Sequence, residues 1–173
     1  EDLRLLRGAK PIQSELGDAY QQVQMYLSQG YLVLFSGTPC QVDGLYRFLG
    51  EHPENLLTCD FVCSGVVSPG VWAKFVESMA YIKRHRVVDV HFFEKCKGER
   101  ERRFRVLFEG GGTFDAPLSK CQLGRGLLRR LFLRPACYHC AYANSNRTGD
   151  LTMGLFMGLP KDFCPQEQKA GVS

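Results

Sequence analysis

The stretch that decides the fold is residues 31–62, which read YLVLFSGTPCQVDGLYRFLGEHPENLLTCDFV. Tyr31–Phe35 is a continuously apolar run of the kind found in strands that are buried on both faces of a parallel sheet. Pro39–Leu49 follows as a helix with Thr38 as its cap, and Asn55–Val62 forms a second strand. This order of strand, helix and strand predicts a βαβ unit with a right-handed crossover.

Helical and strand patterns flank this unit on both sides. Apolar residues at helical spacing predict a helix over residues 14–29, capped by Ser14, and another from Ser68 to about residue 85. A short helix is expected over residues 124–132, and residues 150–156 predict a last strand. The predicted fold class is therefore α/β, with a parallel βαβ core sheet and flanking helices.

Residues 87–116 have a different pattern. Residues 87–93 and 103–108 alternate between apolar and polar side chains, and the glycines at 110–112 predict a turn before a short strand at 113–116. We expect an antiparallel β-hairpin insertion, either at the edge of the sheet or as a small subdomain.

The composition is that of an ordinary globular domain. Hydrophobic residues make up 45% of the 173 residues and charged residues 23%, which excludes disordered and fibrous proteins. The net charge of +4 is too small to indicate nucleic-acid binding. No apolar run approaches the roughly 20 residues of a membrane span. We therefore expect a globular protein that neither binds nucleic acid nor crosses a membrane.

Eight cysteines are the most distinctive feature of the composition. An even number can form a disulfide framework, but such frameworks are typical of small secreted domains that lack a sufficient core. A chain of this length can bury a core of its own, which favours a cytoplasmic protein with reduced thiols. Reduced thiols bind metals, carry redox chemistry or are simply buried. The cysteines are Cys40, Cys59, Cys63, Cys96, Cys121, Cys137, Cys140 and Cys164.

Four of these cysteines have the arrangement of a metal or cluster site. Cys40 and Cys63 follow the ends of the two predicted parallel strands, at the sheet edge where open α/β folds bind ligands. Cys40 also lies in the first turn of a helix, where free N–H groups and the helix dipole favour a thiolate. Cys137 and Cys140 form a C-x-x-C pair after a proline. Four thiolates fit either a 4Fe–4S cluster or a structural zinc ion.

Three segments of the chain, in order, resemble one protein family. They are Leu34–Gln41 (LFSGTPCQ), Asp60–Pro69 (DFVCSGVVSP) and Leu133–Asp150 (LRPACYHCAYANSNRTGD). The segments resemble the coenzyme F420 hydrogenase/dehydrogenase beta-subunit family, whose members are iron–sulfur and flavin subunits. The resemblance implies an oxidoreductase that passes electrons between a reduced deazaflavin, coenzyme F420, or another low-potential donor and a partner protein. That partner would be ferredoxin or another subunit of a larger oxidoreductase.

The same resemblance implies a ligand set and a domain organisation. Carried over position by position, the ligands of a 4Fe–4S cluster would be Cys40, Cys63, Cys137 and Cys140. Members of the family are typically longer than this chain. We therefore expect residues 1–173 to be a single incomplete α/β domain that lacks N-terminal and C-terminal parts of the family, with residues 87–116 as its insertion.

Six residues are predicted to bind or tune a cofactor. The turn before the first predicted βαβ helix offers N–H groups to the phosphates of FAD or, if no flavin binds, to the cluster alone. Arg134 and Arg147, near the C-x-x-C pair, either supply positive charge to an anionic cluster or are ordinary surface arginines. Asp150 either orients Arg147 or a ligand hydroxyl, or it is a simple turn residue. No side chain is a clear general acid or base, so the catalytic residues stay unassigned. The six residues are Ser36, Gly37, Thr38, Arg134, Arg147 and Asp150.

Two other functions remain open from the sequence. The four thiolates can instead hold zinc in a structural or interaction module, or the chain can be an inactive truncated homologue. The basic run Lys95–Arg105 either docks an acidic electron carrier or is a solvated hairpin face. Cys59 is expected in the core, and Cys96, Cys121 and Cys164 are expected to be incidental thiols.

Overall fold

The computed structural model of the protein describes residues 10–94 and 102–154. Its elements in chain order are α1 (Ala19–Ser28), β1 (Val33–Gly37), α2 (Pro39–Leu49), β2 (Leu56–Phe61), α3 (Pro69–Lys83), β3 (Val87–Glu94), β4 (Arg103–Phe108), β5 (Thr113–Pro117), α4 (Gln122–Leu128), α5 (Pro135–Tyr138) and β6 (Leu151–Met153). No helix in the described part of the chain combines the length and the apolar character that a bilayer crossing requires.

The chain divides into two compact units. We call the unit that contains the parallel sheet the parallel unit, and the unit that contains the antiparallel sheet the antiparallel unit. The parallel unit is Glu15–Ser64 with Cys140–Ser173, and the antiparallel unit is Glu1–Ser14 with Gly65–His139.

The parallel unit contains a three-stranded sheet in the order β1-β2-β6, with both neighbouring pairs parallel. The register of β1 and β2 runs from Val33 opposite Leu56 to Gly37 opposite Asp60. Buried Val23, Leu45 and Leu56 form the core between this sheet and the helices α1 and α2. The predicted α/β class with a parallel βαβ unit is confirmed.

Several apolar side chains on the other face of this sheet are exposed to solvent. Register partners Leu34 and Leu57 are 64% and 39% exposed, and Leu151 and Met153 on β6 are 54% and 56% exposed. The burial of β1 therefore alternates along the strand. The prediction that the Tyr31–Phe35 strand is buried on both faces is wrong, because α1 and α2 both contact this part of the sheet from one side.

Helix α2 has the ends that the sequence predicts. Thr38 is its N-cap, Pro39 is its first residue, and Gly50 closes it with a left-handed φ of 75°. Helix α1, in contrast, begins at Ala19 with Asp18 as N-cap, so the predicted start at Ser14 is wrong. Gly17 has a φ of 52°, and this left-handed turn separates the preceding residues from the helix.

The antiparallel unit contains the sheet β3-β4-β5, which confirms the predicted antiparallel strands. This sheet is separate from β1-β2-β6, so the expected place at the edge of the parallel sheet is wrong and the small subdomain is what forms. A turn at Gly110 and Gly111, both with positive φ, joins β4 to β5. Phe104 and Val106 on β4 are fully buried in the core of this unit. Ser68 precedes α3, as predicted, and α3 ends at Lys83.

Helix α4 is shorter than the predicted helix over residues 124–132. It spans Gln122–Leu128, and Arg130 adopts a left-handed φ of 54°. The chain then turns back, so that the N–H of Leu131 donates to the carbonyl of Gly126. The apolar residues at 131 and 132 fit the helical period, but they belong to this turn.

Some sequence predictions lie outside the described residues. Strand β6 ends at Met153, and the predicted continuation to residues 155–156 is not described. The same holds for Cys96, Cys164 and the part of the basic run at residues 95–101. The assignment of residues 1–173 to a single incomplete domain stays a prediction.

Candidate functional site

Cys40 and Cys63 lie beyond the same edge of the parallel sheet. The last residues that pair between β1 and β2 are Gly37 and Asp60. Cys40 follows Gly37 by three residues, and Cys63 follows Asp60 by three residues. Cys40 is exposed in the first turn of α2, and Cys63 is half-buried. The parallel register therefore carries both thiols past the carboxyl ends of their strands.

The predicted cofactor-binding turn before α2 is tightly packed. The N–H of Thr38 donates to Gln41 Oε1 at 2.9 Å, and Thr38 Oγ1 lies 3.1 Å from the sulfur of Cys40. A Cβ atom at Gly37 would come within 3.2 Å of the Gln41 side chain and of the Phe35 ring. Ser36 is exposed. The N–H and the hydroxyl of Thr38 therefore both donate to Gln41 Oε1 within the turn, and the hydroxyl oxygen also lies against the Cys40 thiol.

Cys140 begins a segment that is attached to α2. The hydroxyl of Tyr142 donates to Asp43 Oδ2 at 2.6 Å, and Arg47 also donates to this carboxylate. These two hydrogen bonds lower the pKa of the Asp43 carboxyl. The hydrogen bond to Asp43, burial and the negative charge of Asp43 raise the pKa of the Tyr142 phenol. Exposed Cys140 is two residues before Tyr142 in the chain.

Arg147 forms an ion pair with a buried aspartate of β2. Its Nη2 donates to Asp60 Oδ1 at 2.8 Å, and the backbone N–H groups of Thr148 and Gly149 donate to Asp60 Oδ2 at 3.3 and 3.1 Å. Asp60 is 0% exposed. Burial alone would raise the pKa of Asp60, but these donors and the Arg147 charge outweigh burial and lower it. The predicted cofactor residue Arg147 thus has a partner within the chain.

Asp150 bonds to the same strand. Its Oδ2 accepts from the N–H of Thr58 at 2.7 Å and from Thr58 Oγ1 at 2.8 Å, while its own N–H donates to Thr58 Oγ1 at 3.1 Å. Hydrogen bonds from the Thr58 backbone and hydroxyl lower the pKa of Asp150. The sequence left Asp150 open as a partner of Arg147, a partner of a ligand hydroxyl or a turn residue. In the structure Asp60 bonds to Arg147, and Asp150 bonds to Thr58.

Cys137 and Arg134 belong to the antiparallel unit. Arg134 is the N-cap of α5, and its Nη1 donates to Gln13 Oε1 at 2.5 Å. The hydroxyl of Tyr138 accepts from the Leu133 N–H and donates to the Arg130 carbonyl. These contacts fix the chain on both sides of the half-buried Cys137.

Four site-forming residues were missed in the sequence. Asp60 had a signal, because a charged residue inside an apolar strand requires a buried partner. Asp43, Thr58 and Tyr142 had none, since their partners are distant in the chain. Cys121 was also misjudged as incidental: its sulfur caps α4 by accepting from the Gly124 N–H at 3.0 Å.

The thiols fit a metal or cluster in chemistry, while their assembly into one site stays a prediction. All six described cysteines are free, so they form no disulfide framework. Cys40, Cys63, Cys137 and Cys140 are each at least partly accessible, as thiolate ligands must be. Within residues 10–94 and 102–154, no three His, Cys, Asp or Glu side chains are grouped closely enough to hold a metal ion.

Comparison with known proteins agrees with the motifs. A family model for the C terminus of the coenzyme F420 hydrogenase/dehydrogenase beta subunit matches residues 31–173. No curated protein and no solved structure matches the chain. The match includes both strand ends with their cysteines and the C-x-x-C pair. It also includes the segment whose Arg147 and Asp150 bond to Asp60 and Thr58 on β2. The chain belongs to the coenzyme F420 hydrogenase/dehydrogenase beta-subunit family, as represented by its C-terminal region.

Proposed function

We propose that this chain is the cluster-binding part of an electron-transfer oxidoreductase subunit. The ligands would be the thiolates of Cys40, Cys63, Cys137 and Cys140. The observation that carries the proposal is the placement of Cys40 and Cys63 three residues beyond the paired strand ends Gly37 and Asp60. The carboxyl edge of a parallel sheet is where α/β folds bind their ligands.

A bound 4Fe–4S cluster would supply one-electron transfer at a low potential. The chain's own residues would hold it and stabilise its negative charge. Cys40 lies in the first turn of an 11-residue helix, so unbonded N–H groups and the helix dipole favour a thiolate there. The Thr38 hydroxyl lies 3.1 Å from the Cys40 sulfur and donates to Gln41 Oε1 at 3.0 Å; it would donate to the thiolate by exchanging that bond for one to the ligand. Cys137 is three residues before Cys140, the spacing at which a C-x-x-C pair binds one centre.

The proposal extends to a flavin, a donor and partner proteins. FAD would bind at the turn Ser36–Thr38, because the N-terminus of α2 favours a phosphate. Coenzyme F420 would be the electron donor, and another subunit or ferredoxin would be the acceptor, as the family's name as a beta subunit suggests. The free thiols are consistent with the reducing cytoplasm, where we place the protein.

The test is anaerobic reconstitution of the 173-residue chain with iron and sulfide, with zinc offered in a parallel sample. We expect a broad absorption band near ~400 nm that bleaches with dithionite. A sample whose thiols are alkylated beforehand is the control and should stay colourless.

Two results would contradict the proposal. A colourless protein that retains one zinc ion after dialysis, even when iron and sulfide are in excess, indicates the structural zinc module. A protein that retains neither metal indicates an inactive homologue.

A further inference from the structure

The segment that carries Cys140 is attached to other elements of the parallel unit at three points. Tyr142 bonds to Asp43 on α2, Arg147 bonds to Asp60 on β2, and Asp150 bonds to Thr58 on β2. The two contacts with β2 are seven and ten residues after Cys140 in the chain. The contact between Tyr142 and Asp43 is therefore the one nearest to Cys140.

Few other bonds fix residues 140–146 in place. Ala143 donates to the Cys140 carbonyl, Asn144 donates to the Ala141 carbonyl, and Asn146 donates to the Asn144 side chain. Each of these bonds stays within the segment. In the described part of the chain, Tyr142 thus supplies the hydrogen bond that joins residues 140–146 to another element.

The partner of Tyr142 lies one turn from Cys40. Asp43 follows Cys40 by three residues on α2, and side chains three positions apart in a helix share one face. Arg47, one turn further along, also bonds to Asp43 Oδ2 and fixes its orientation. Arg47 and the Tyr142 hydroxyl donate to the same Asp43 oxygen, so the Arg47 bond orients the acceptor that Tyr142 uses.

We propose that Asp43 and Tyr142 are positioning residues whose hydrogen bond holds Cys140 beside the turn of α2 that carries Cys40. This inference rests on the proposed function, because it assigns both cysteines to one cluster. The ring and hydroxyl of Tyr142 fix the backbone two residues after Cys140. The approach of the Cys140 sulfur to the shared centre is thereby set before a cluster binds.

The decisive variant is Tyr142→Phe, which keeps the ring and removes the hydroxyl. Tyr31→Phe is the matched control, because Tyr31 lies in the same unit, is 58% exposed, and bonds to Asn55 and Tyr26 through its backbone carbonyl and N–H. Both variants and the wild-type chain are reconstituted anaerobically, and the loss of iron to a chelator is followed over time. We expect about tenfold faster loss from Tyr142→Phe, the scale found for residues that orient metal ligands.

Thermal unfolding of the three proteins without iron separates positioning from folding. We expect equal melting temperatures, since one hydrogen bond between partly exposed groups contributes little to global stability. Asp43→Ala should lose iron as fast as Tyr142→Phe, and the double variant should be no faster than either. Asp43→Asn, whose amide oxygen can still accept from Tyr142, should retain most of the wild-type behaviour.

The outcomes distinguish this inference from the proposed function. If Cys140→Ser loses its iron while Tyr142→Phe and Asp43→Ala release iron at the wild-type rate, the positioning role is wrong and the cluster assignment stands. If Cys140→Ser itself retains iron, the cluster assignment fails for Cys140. A lowered melting temperature in Tyr142→Phe, together with an additive double variant, would also overturn the inference.

Discussion

The packing around α4 leaves no room for a side chain at Gly124. A Cβ atom at this position would lie 2.1 Å from the carbonyl oxygen of Leu118 and 2.8 Å from the sulfur of Cys121. The Leu118 oxygen belongs to the backbone and cannot rotate away. The same Gly124 donates its N–H to the Cys121 sulfur, so the close approach and the helix cap depend on each other.

We therefore expect Gly124→Ala to lower the free energy of unfolding by about 1–3 kcal/mol, the range for overpacked sites. Gly70→Ala is the control. Gly70 also lies in a helix, but a Cβ atom there meets nothing within 4 Å. Since alanine is the better helix former, this change should be neutral or stabilising by up to about 1 kcal/mol. Urea unfolding of both variants measures the difference, and equal effects would contradict the packing argument.

The cap at Cys121 also marks a limit of prediction at the residue scale. Cysteine is not among the residues that usually cap helices, so its position before α4 gave no signal. Thr38 and Ser68, by contrast, are common caps followed by proline, and both are the N-caps of the predicted helices. Local chemistry was sufficient where the cap residue is a common one.

At the scale of elements, β2 connects the core to the segment around residues 147–150. Asp60 is the buried acceptor for Arg147 and for two backbone N–H groups, and Thr58 on the same strand bonds to Asp150. Both carboxylates have lowered pKa values because their bonded partners stabilise the charged form. The position of this segment on the sheet therefore depends on ionised Asp60.

Asp60→Asn should destabilise the protein by about 3 kcal/mol at neutral pH, because it leaves the Arg147 charge without its buried partner. The stability that Asp60 contributes is present above the ordinary pKa of an aspartate, about 3.9. It is lost as the pH falls through the lower pKa of the folded state.

The measurement is urea unfolding between pH 3 and pH 7. As the pH falls through this range, the wild type should lose more stability than Asp60→Asn. Asp18→Asn, at an exposed N-cap without a side-chain cap bond, is the control and should change stability by less than about 0.5 kcal/mol. An unchanged acid dependence in Asp60→Asn would show that the ion pair is not responsible.

The elements were predictable where the information is local. The βαβ order, the ends of α2 and the antiparallel strands follow from neighbouring residues and are confirmed. The choice of Asp60 as the partner of Arg147 was not predictable, because this pair joins residues 87 positions apart. The exposed face of β1 was missed for a similar reason: an apolar run does not reveal which of its faces will be covered.

At the scale of the whole molecule, the predicted ligands are distributed over both compact units. Cys40, Cys63 and Cys140 belong to the parallel unit, and Cys137 belongs to the antiparallel unit. Within the parallel unit, the strand register and the contact between Tyr142 and Asp43 fix the elements that carry three of these thiols. The central claim is that these four thiolates, and not the other cysteines, bind one iron–sulfur cluster.

The most direct test of this claim is the iron and acid-labile sulfide content of single Cys→Ser variants after anaerobic reconstitution. The wild-type chain and the control Cys121→Ser, in which serine takes over the cap of α4, should each bind about four iron atoms. Replacement of Cys40, Cys63, Cys137 or Cys140 should reduce the iron content to less than half of this value. Wild-type iron and sulfide in all four variants would contradict the account.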